Sequence, residues 1–188
     1  MSTDIATYIT PKEYLDRERA AEAKSEWVDG EIREMSGSSR AHNVIAGRIL
    51  ALLWNRLEHQ PFEPYSSDMR VRIPNGPYYH PDVSIASLPP TFEEDQLPDT
   101  LLNPLVIFEV LSSSTEAIDR GKKLDDYGQI PSLTDYLLVS QDERRVDHCR
   151  REGVGLWRVE ILTDSAASVR LPEIGCELPL AEIYHRVL

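Results

Sequence analysis

The stretch LVIFEVLSSSTEAIDRGKKLDDY, residues 105–127, decides how this chain is read. Leu105, Val106, Ile107 and Phe108 form an apolar run, which resumes at Val110 and Leu111 after a single carboxylate, Glu109. Apolar residues on both faces predict a strand near the centre of a sheet. Desolvating an unpaired carboxylate there costs several kcal/mol, so Glu109 needs a partner. The residues that follow, from Ser114 to Gln129, predict a helix whose side chains reach back over the strand end. Ser112 to Ser114 are expected to cap it. Its expected apolar stripe is Ala117, Gly121, Leu124 and Gly128. Lys122 and Lys123 flank that stripe at about equal angles, so helical geometry does not choose between them. Asp119, Lys123 and Tyr127 share a neighbouring stripe.

Upstream, TPKEYLDRERAAEAK (10–24) predicts a first helix, with Thr10 as N-cap, Pro11 in the first turn and Glu13 closing a capping box. SEWVDGEIREM (25–35) predicts a hairpin turning at Asp29-Gly30. In residues 37–59, Ile45, Ile49, Leu52, Leu53 and Leu57 recur at helical spacing, the clearest helix of the chain. PYSSDMRVRI (64–73) and YYHPDVSIA (78–86) each predict one strand. SLPPTFEEDQLPDTLLNP (87–104) is proline-rich and acidic, expected as a solvated surface loop. DYLLVS, RVDHCRR and GLWRVEIL predict further short strands, the last two antiparallel, and LAEIYHRV a closing helix. The order implies an α/β (α+β mixed) architecture, a central mixed sheet flanked by helices.

The 188 residues suit a single domain, 1–188, with an N-terminal helix and hairpin at 10–36, a core at 37–162 and C-terminal strands and helix at 163–188. There is no basic and apolar leader pattern, and no apolar run approaches the length of a membrane span. Cys149 and Cys176 form no metal or disulfide pattern, which fits a reducing cytoplasm. The net charge of −12 repels nucleic acid at long range, so a nucleic-acid reading has to account for it. DERRVDHCRRE (142–152) is the one candidate for a local basic strip, through Arg145 and Arg151 with Arg144 and Arg150 nearby. Phosphate-loop, dinucleotide and serine-elbow motifs are absent, and the histidines are not at zinc spacing.

Asp82, in HPDVSI, is the natural companion of Glu109. If their strands pair, the two carboxylates converge and repel unless a cation or proton lies between them. Hard oxygen donors completed by water suit Mg²⁺. The alternative is that Asp82 caps a turn and Glu109 pairs with an arginine. His42 lies on the inward stripe of the second helix, as a core or capping residue or facing the same cleft. Glu31, just after the hairpin turn, is unremarkable unless its surroundings promote it.

HPDVSI, VIFEVLSSST, DRGKKLDDY and PSLTDYLLV, preceded by EWVDGEIREM and a helix carrying a histidine, resemble the family of small proteins described as putative restriction endonucleases, in the PD-(D/E)XK nuclease superfamily. The likeness runs from about Tyr14 to about Trp157. It implies a restriction-endonuclease-like core, with Pro81-Asp82 as the PD element and Glu109 as the second acid. The usual lysine position, two residues on, holds Leu111 here. The resemblance instead assigns the lysine to the following helix, as Lys123 rather than Lys122. It implies Mg²⁺, with Mn²⁺ as a substitute, on Asp82, Glu109 and the Val110 carbonyl. Lys123 would orient and help deprotonate the attacking water, with Glu31 and His42 shaping the phosphate side. Metal-free, Glu109 should titrate high or be held by Lys123. The implied activity is endonucleolytic hydrolysis of DNA, with a homodimer suggested by the fold class. The competing readings are a nuclease-fold binding or regulatory module and a metal-dependent hydrolase of small phosphoesters.

Overall fold

The computed structural model describes residues 8–94, 97 and 99–188. The start of the N-terminal segment and Asp95, Gln96 and Pro98 of the acidic loop lie outside the described residues. In chain order the elements are α1 (Pro11–Ala20), β1 (Ser25–Val28), β2 (Glu31–Glu34), α2 (Arg40–Leu57), β3 (Phe62–Ser66), β4 (Arg70–Arg72), β5 (Tyr78–Tyr79), β6 (Val83–Ser87), β7 (Thr100–Leu101) and β8 (Pro104–Leu111). There follow α3 (Glu116–Ile118), a π-helical turn (Asp119–Lys123), α4 (Leu124–Tyr127), β9 (Asp135–Ser140), β10 (Val146–Gly153), β11 (Leu156–Leu162), β12 (Ser168–Leu171), β13 (Cys176–Pro179) and α5 (Leu180–Ile183). The strands form a mixed sheet β11-β10-β9-β8-β6-β3, a second sheet β2-β1-β5-β4-β7, and the hairpin β12-β13.

The expected central strand is β8, parallel to β9 and antiparallel to β6. Its alternation divides the core. Val106, Phe108 and Val110 pack on the α2 side with Ile45, Ile49, Leu53 and Leu57. Burying each of those four helix side chains is worth about 2 kcal/mol. Ile107 and Leu111 face the other way, against Tyr79, Tyr127, Ile130 and Tyr136. Glu109 lies between them on that second face, 4% exposed.

Helix α1 carries the expected capping box of Thr10 and Glu13 but stops at Ala20, short of Lys24. The chain folds back there because Glu18 accepts from the Ser25 N–H and Tyr14 donates to the Ser25 carbonyl. Each of the two expected strands at 64–73 and 78–86 is really two. A turn at Ser67–Asp68 separates β3 from β4, and His80-Pro81-Asp82 separates β5 from β6. In both cases the halves belong to different sheets. Proline has no N–H to continue the ladder, so the chain changes sheet at Pro81.

Two of the acids in this loop are not solvated. Asp99 takes Arg19 at 2.8 Å and the buried Arg70 at 2.9 Å, and Glu93 takes Arg72 and the Tyr78 hydroxyl. Burial alone would raise the Asp99 carboxyl, but the two arginines outweigh it and hold it at about 2. A depressed carboxyl contributes stability above its unfolded value that is lost as pH falls through the folded one. Asp99→Asn is therefore expected to cost about 1 kcal/mol at neutral pH, after solvent screening at this partly open position. In urea titrations the gap to wild type should narrow as pH falls from about 4 toward 2.

Candidate active site

The cleft, about 420 Å³, opens where the two large sheets part and is lined by residues of the β1–β2 hairpin, α2, the β5–β6 link, β8 and the helix after it. Strand β8 runs past the end of β6, whose last pair with it is Val83 with Phe108. The Val110 N–H, left without a ladder partner on that side, donates instead to Asp82 Oδ2 at 2.7 Å. Residues of an antiparallel strand present N–H and C=O to the same side, so the Val110 carbonyl faces the same open edge. His42, at the N-terminal end of α2, places Nε2 3.2 Å from the same Asp82 oxygen. Its Nδ1 is buried without a hydrogen-bond partner. Burial opposes the imidazolium, yet the hydrogen bond and charge of Asp82 prevail and raise its pKa.

Lys123 decides the alternative that helix geometry left open. Its Nζ lies 3.1 Å from Glu109, 3.1 Å from Glu26 and 3.4 Å from Asp119. Lys122 turns outward to Asp29 and Asp126. The expected apolar stripe is not the buried one: Ala117 and Gly121 are exposed, while Asp119, Lys123 and Tyr127 point inward. The π turn is anchored by Tyr136, whose hydroxyl donates to the Asp119 carbonyl at 3.0 Å. Tyr127, fully buried behind the cleft, donates to Glu109 Oε1 at 3.0 Å. Ser112 holds the start of α3 through its backbone carbonyl, which accepts from Thr115 and Glu116, rather than through a side-chain cap.

Burial drives the Glu109 carboxyl well above the usual carboxylate range. Lys123 opposes that rise, and Asp119, Asp82 and Glu26 reinforce it. Lys123 itself is held well above the usual lysine range, because Glu109, Glu26 and Asp119 outweigh its burial. Glu109 is thus both held by Lys123 and high-titrating.

Glu31 does not join this group. Its side chain is 62% exposed, opposite Val28 beside the turn, with Arg33 at 3.9 Å. The hairpin's contribution is Glu26, paired in register with Arg33. Glu26 interrupts Ser25-Trp27-Val28, all buried, much as Glu109 interrupts β8. A lone charge among buried neighbours was the available signal.

Among the described residues no three His, Cys, Asp or Glu side chains are already gathered to hold an ion by themselves. Mg²⁺ does not require that, since it binds through one or two carboxylates and keeps several waters. The donor set fits it: Asp82 and Glu109 flank the Val110 backbone, Asp119 Oδ1 is buried without a hydrogen-bond partner, and Glu26, Asp82, Glu109 and Asp119 outnumber the one lysine.

A family model described as "Putative restriction endonuclease" (Uma2) matches residues 11–181. The chain belongs to that family. Two uncharacterized proteins of Synechocystis sp., slr1290 and sll1609, are each 35% identical to it. The first aligns over 94% of this chain and 91% of the relative, the second over 86% and 91%. A crystal structure of a putative nuclease of the DUF820 group from Anabaena variabilis superposes with a TM-score of 0.76 at 20% identity. It covers 96% of this chain and 99% of that one, a likeness of fold. The Uma2 chain thus has the expected mixed α/β core with nuclease-like character.

Proposed function

We propose that this Uma2 protein is a Mg²⁺-dependent endonuclease that hydrolyses DNA phosphodiester bonds, with Mn²⁺ able to substitute. The observation that supports it most is the buried Glu109–Lys123 pair set beside Asp82 at the open end of β8. Asp82, Glu109 and the Val110 carbonyl would hold the ion. When bound, it supplies Lewis-acid stabilisation of the phosphoryl oxygens and a more acidic water.

The residues of the chain do the rest. Lys123 stays an ammonium at neutral pH because three carboxylates surround it. It therefore donates hydrogen bonds that orient the water and offsets charge on the phosphorus. It is not the group that takes the proton; a neighbouring carboxylate, Glu26 or Asp119, fills that role. His42 fixes Asp82, and Glu26 takes the place expected for Glu31 on the hairpin side. Arg33 and the N-terminal end of α2, whose first N–H groups point toward anions, would receive the phosphate against the protein's net negative charge.

A second reading has its own support. The arginines expected as a basic strip are engaged internally: Arg145 with Asp147, Arg150 with Asp135, Arg151 with the carbonyls of Gly128, Ile130 and Leu133, and Arg144 with the Leu188 carbonyl. With −12 net charge and no such strip, a small phosphodiester is the alternative substrate. Calorimetric titration of Mg²⁺ and Mn²⁺ into EDTA-stripped wild type, beside plasmid nicking and hydrolysis of bis(p-nitrophenyl) phosphate, separates the cases. Metal binding with nicking is expected. Binding with hydrolysis of the small diester alone would move the substrate, and undiminished nicking without metal would overturn the mechanism. No binding and no cleavage would leave a binding module.

A further inference from the structure

The six-stranded sheet has two very different edges. On one, β3 carries Pro64 at its middle, which offers no N–H to an incoming strand. On the other, β11 carries neither proline nor lysine, and among the described residues no strand covers its outer side. Val159 and Ile161 stand on one face of it, 53% and 54% exposed. Isolated surface aliphatics are ordinary. Two in succession on the same face of an unprotected edge are what soluble sheets avoid unless that edge has a partner.

We propose that β11 is the contact between two copies of this chain, paired antiparallel about a two-fold axis at Val159. The strand reads Leu156-Trp157-Arg158-Val159-Glu160-Ile161-Leu162, an apolar–charged alternation centred on Val159 whose two charges are opposite in sign. In this register Val159 meets the partner's Val159, and Trp157 meets the partner's Ile161. Arg158 faces the partner's Glu160 on both sides of the axis. Opposite-charge and aromatic–aliphatic cross-strand pairs are the stabilising units of such a ladder. An isologous contact requires this self-complementarity, which an unrelated extended segment would match only by chance. The charges also fix the register. Centring the axis on Arg158 would set arginine against arginine, and centring it on Glu160 would set glutamate against glutamate. Arg158, 71% exposed, forms an ion pair with Glu152 beside the turn, and its open position lets the guanidinium swing across.

Sedimentation equilibrium of wild type, R158E, E160R and the double variant tests this. Both substitutions are at exposed positions, and circular dichroism checks that each protein is folded. Wild type should be dimeric. R158E and E160R should each weaken association about tenfold or more, because like charges then meet twice. R158E/E160R should restore it. A monomeric wild type, as expected if the edge serves a different protein, would overturn the proposal. So would single variants that associate as well as wild type, or a double variant that fails to recover.

Discussion

Glu109→Gln is expected to reduce Mg²⁺-supported nicking about a thousandfold or more while leaving the fold at least as stable as wild type. The activity loss follows if a metal and its oriented water supply some 4 kcal/mol of transition-state stabilisation at this position, since each 1.36 kcal/mol is tenfold. The stability follows from burial. The glutamine amide keeps an oxygen to accept from Tyr127 and Lys123, but cannot ionise. In wild type the unfolded carboxyl ionises at its ordinary value while the folded one holds its proton to higher pH. Folding stability should therefore fall as pH rises through that interval. The variant lacks this loss, so its advantage should grow with pH. Metal binding to wild type should also expel the retained proton, making the heat of Mg²⁺ binding vary with the ionisation enthalpy of the buffer. Thermal melts across pH, nicking and calorimetry in two buffers measure all three. A variant that still nicks with Mg²⁺ would remove Glu109 from the site.

Lys123→Met should fail in both respects. It removes the cation that Glu26, Glu109 and Asp119 share. Breaking a buried ion pair from one side costs about 3–5 kcal/mol, because the remaining charge has no partner. The same variant should lose nicking, having no donor for the water and nothing to offset charge on phosphorus. Its pH dependence runs in a fixed direction. Well below the ordinary carboxylate range Glu109 and Asp119 are protonated in the folded and unfolded chains alike, and little is lost. As pH rises these two acids ionise readily when unfolded and reluctantly when buried, so the deficit should widen until it dominates near neutrality. Urea midpoints at about pH 3 and pH 7 give the comparison. Equal deficits at both would show that Lys123 acts by packing rather than by charge.

Much of this arrangement is legible in the sequence because hydrophobic alternation is a strong signal. The double-faced apolar run of β8, the Asp29-Gly30 hairpin and the buried spacing of α2 all lie where the pattern puts them. The convergence of Asp82 and Glu109 follows from β6 pairing with β8. What the pattern misplaces is polar. Helical periodicity assumes that the inward stripe is the apolar one, and here it is Asp119, Lys123 and Tyr127, with Lys123 and Tyr127 both turned to Glu109. The acid expected from the hairpin, Glu31, lies beside the turn, whereas register carries Glu26 into the cleft. Strands 64–73 and 78–86 read as continuous because each half alternates correctly on its own. Which sheet a half joins depends on partners distant in sequence. The acidic loop reads as solvated because Arg19, Arg70 and Arg72 lie far from Asp99 and Glu93 along the chain.

The change of sheet at His80-Pro81-Asp82 bears on how the chemistry would be held in place. Three residues join Tyr79, fixed in one sheet, to Val83, fixed in the other. Pro81 has a locked φ. Asp82 therefore has little slack on either side, and Val110 and His42 hold the oxygen at its tip. Its carboxylate is preorganised by the main chain as well as by its rotamer. Little conformational freedom is left for a substrate to quench on arrival, an entropic advantage set when the two sheets fold.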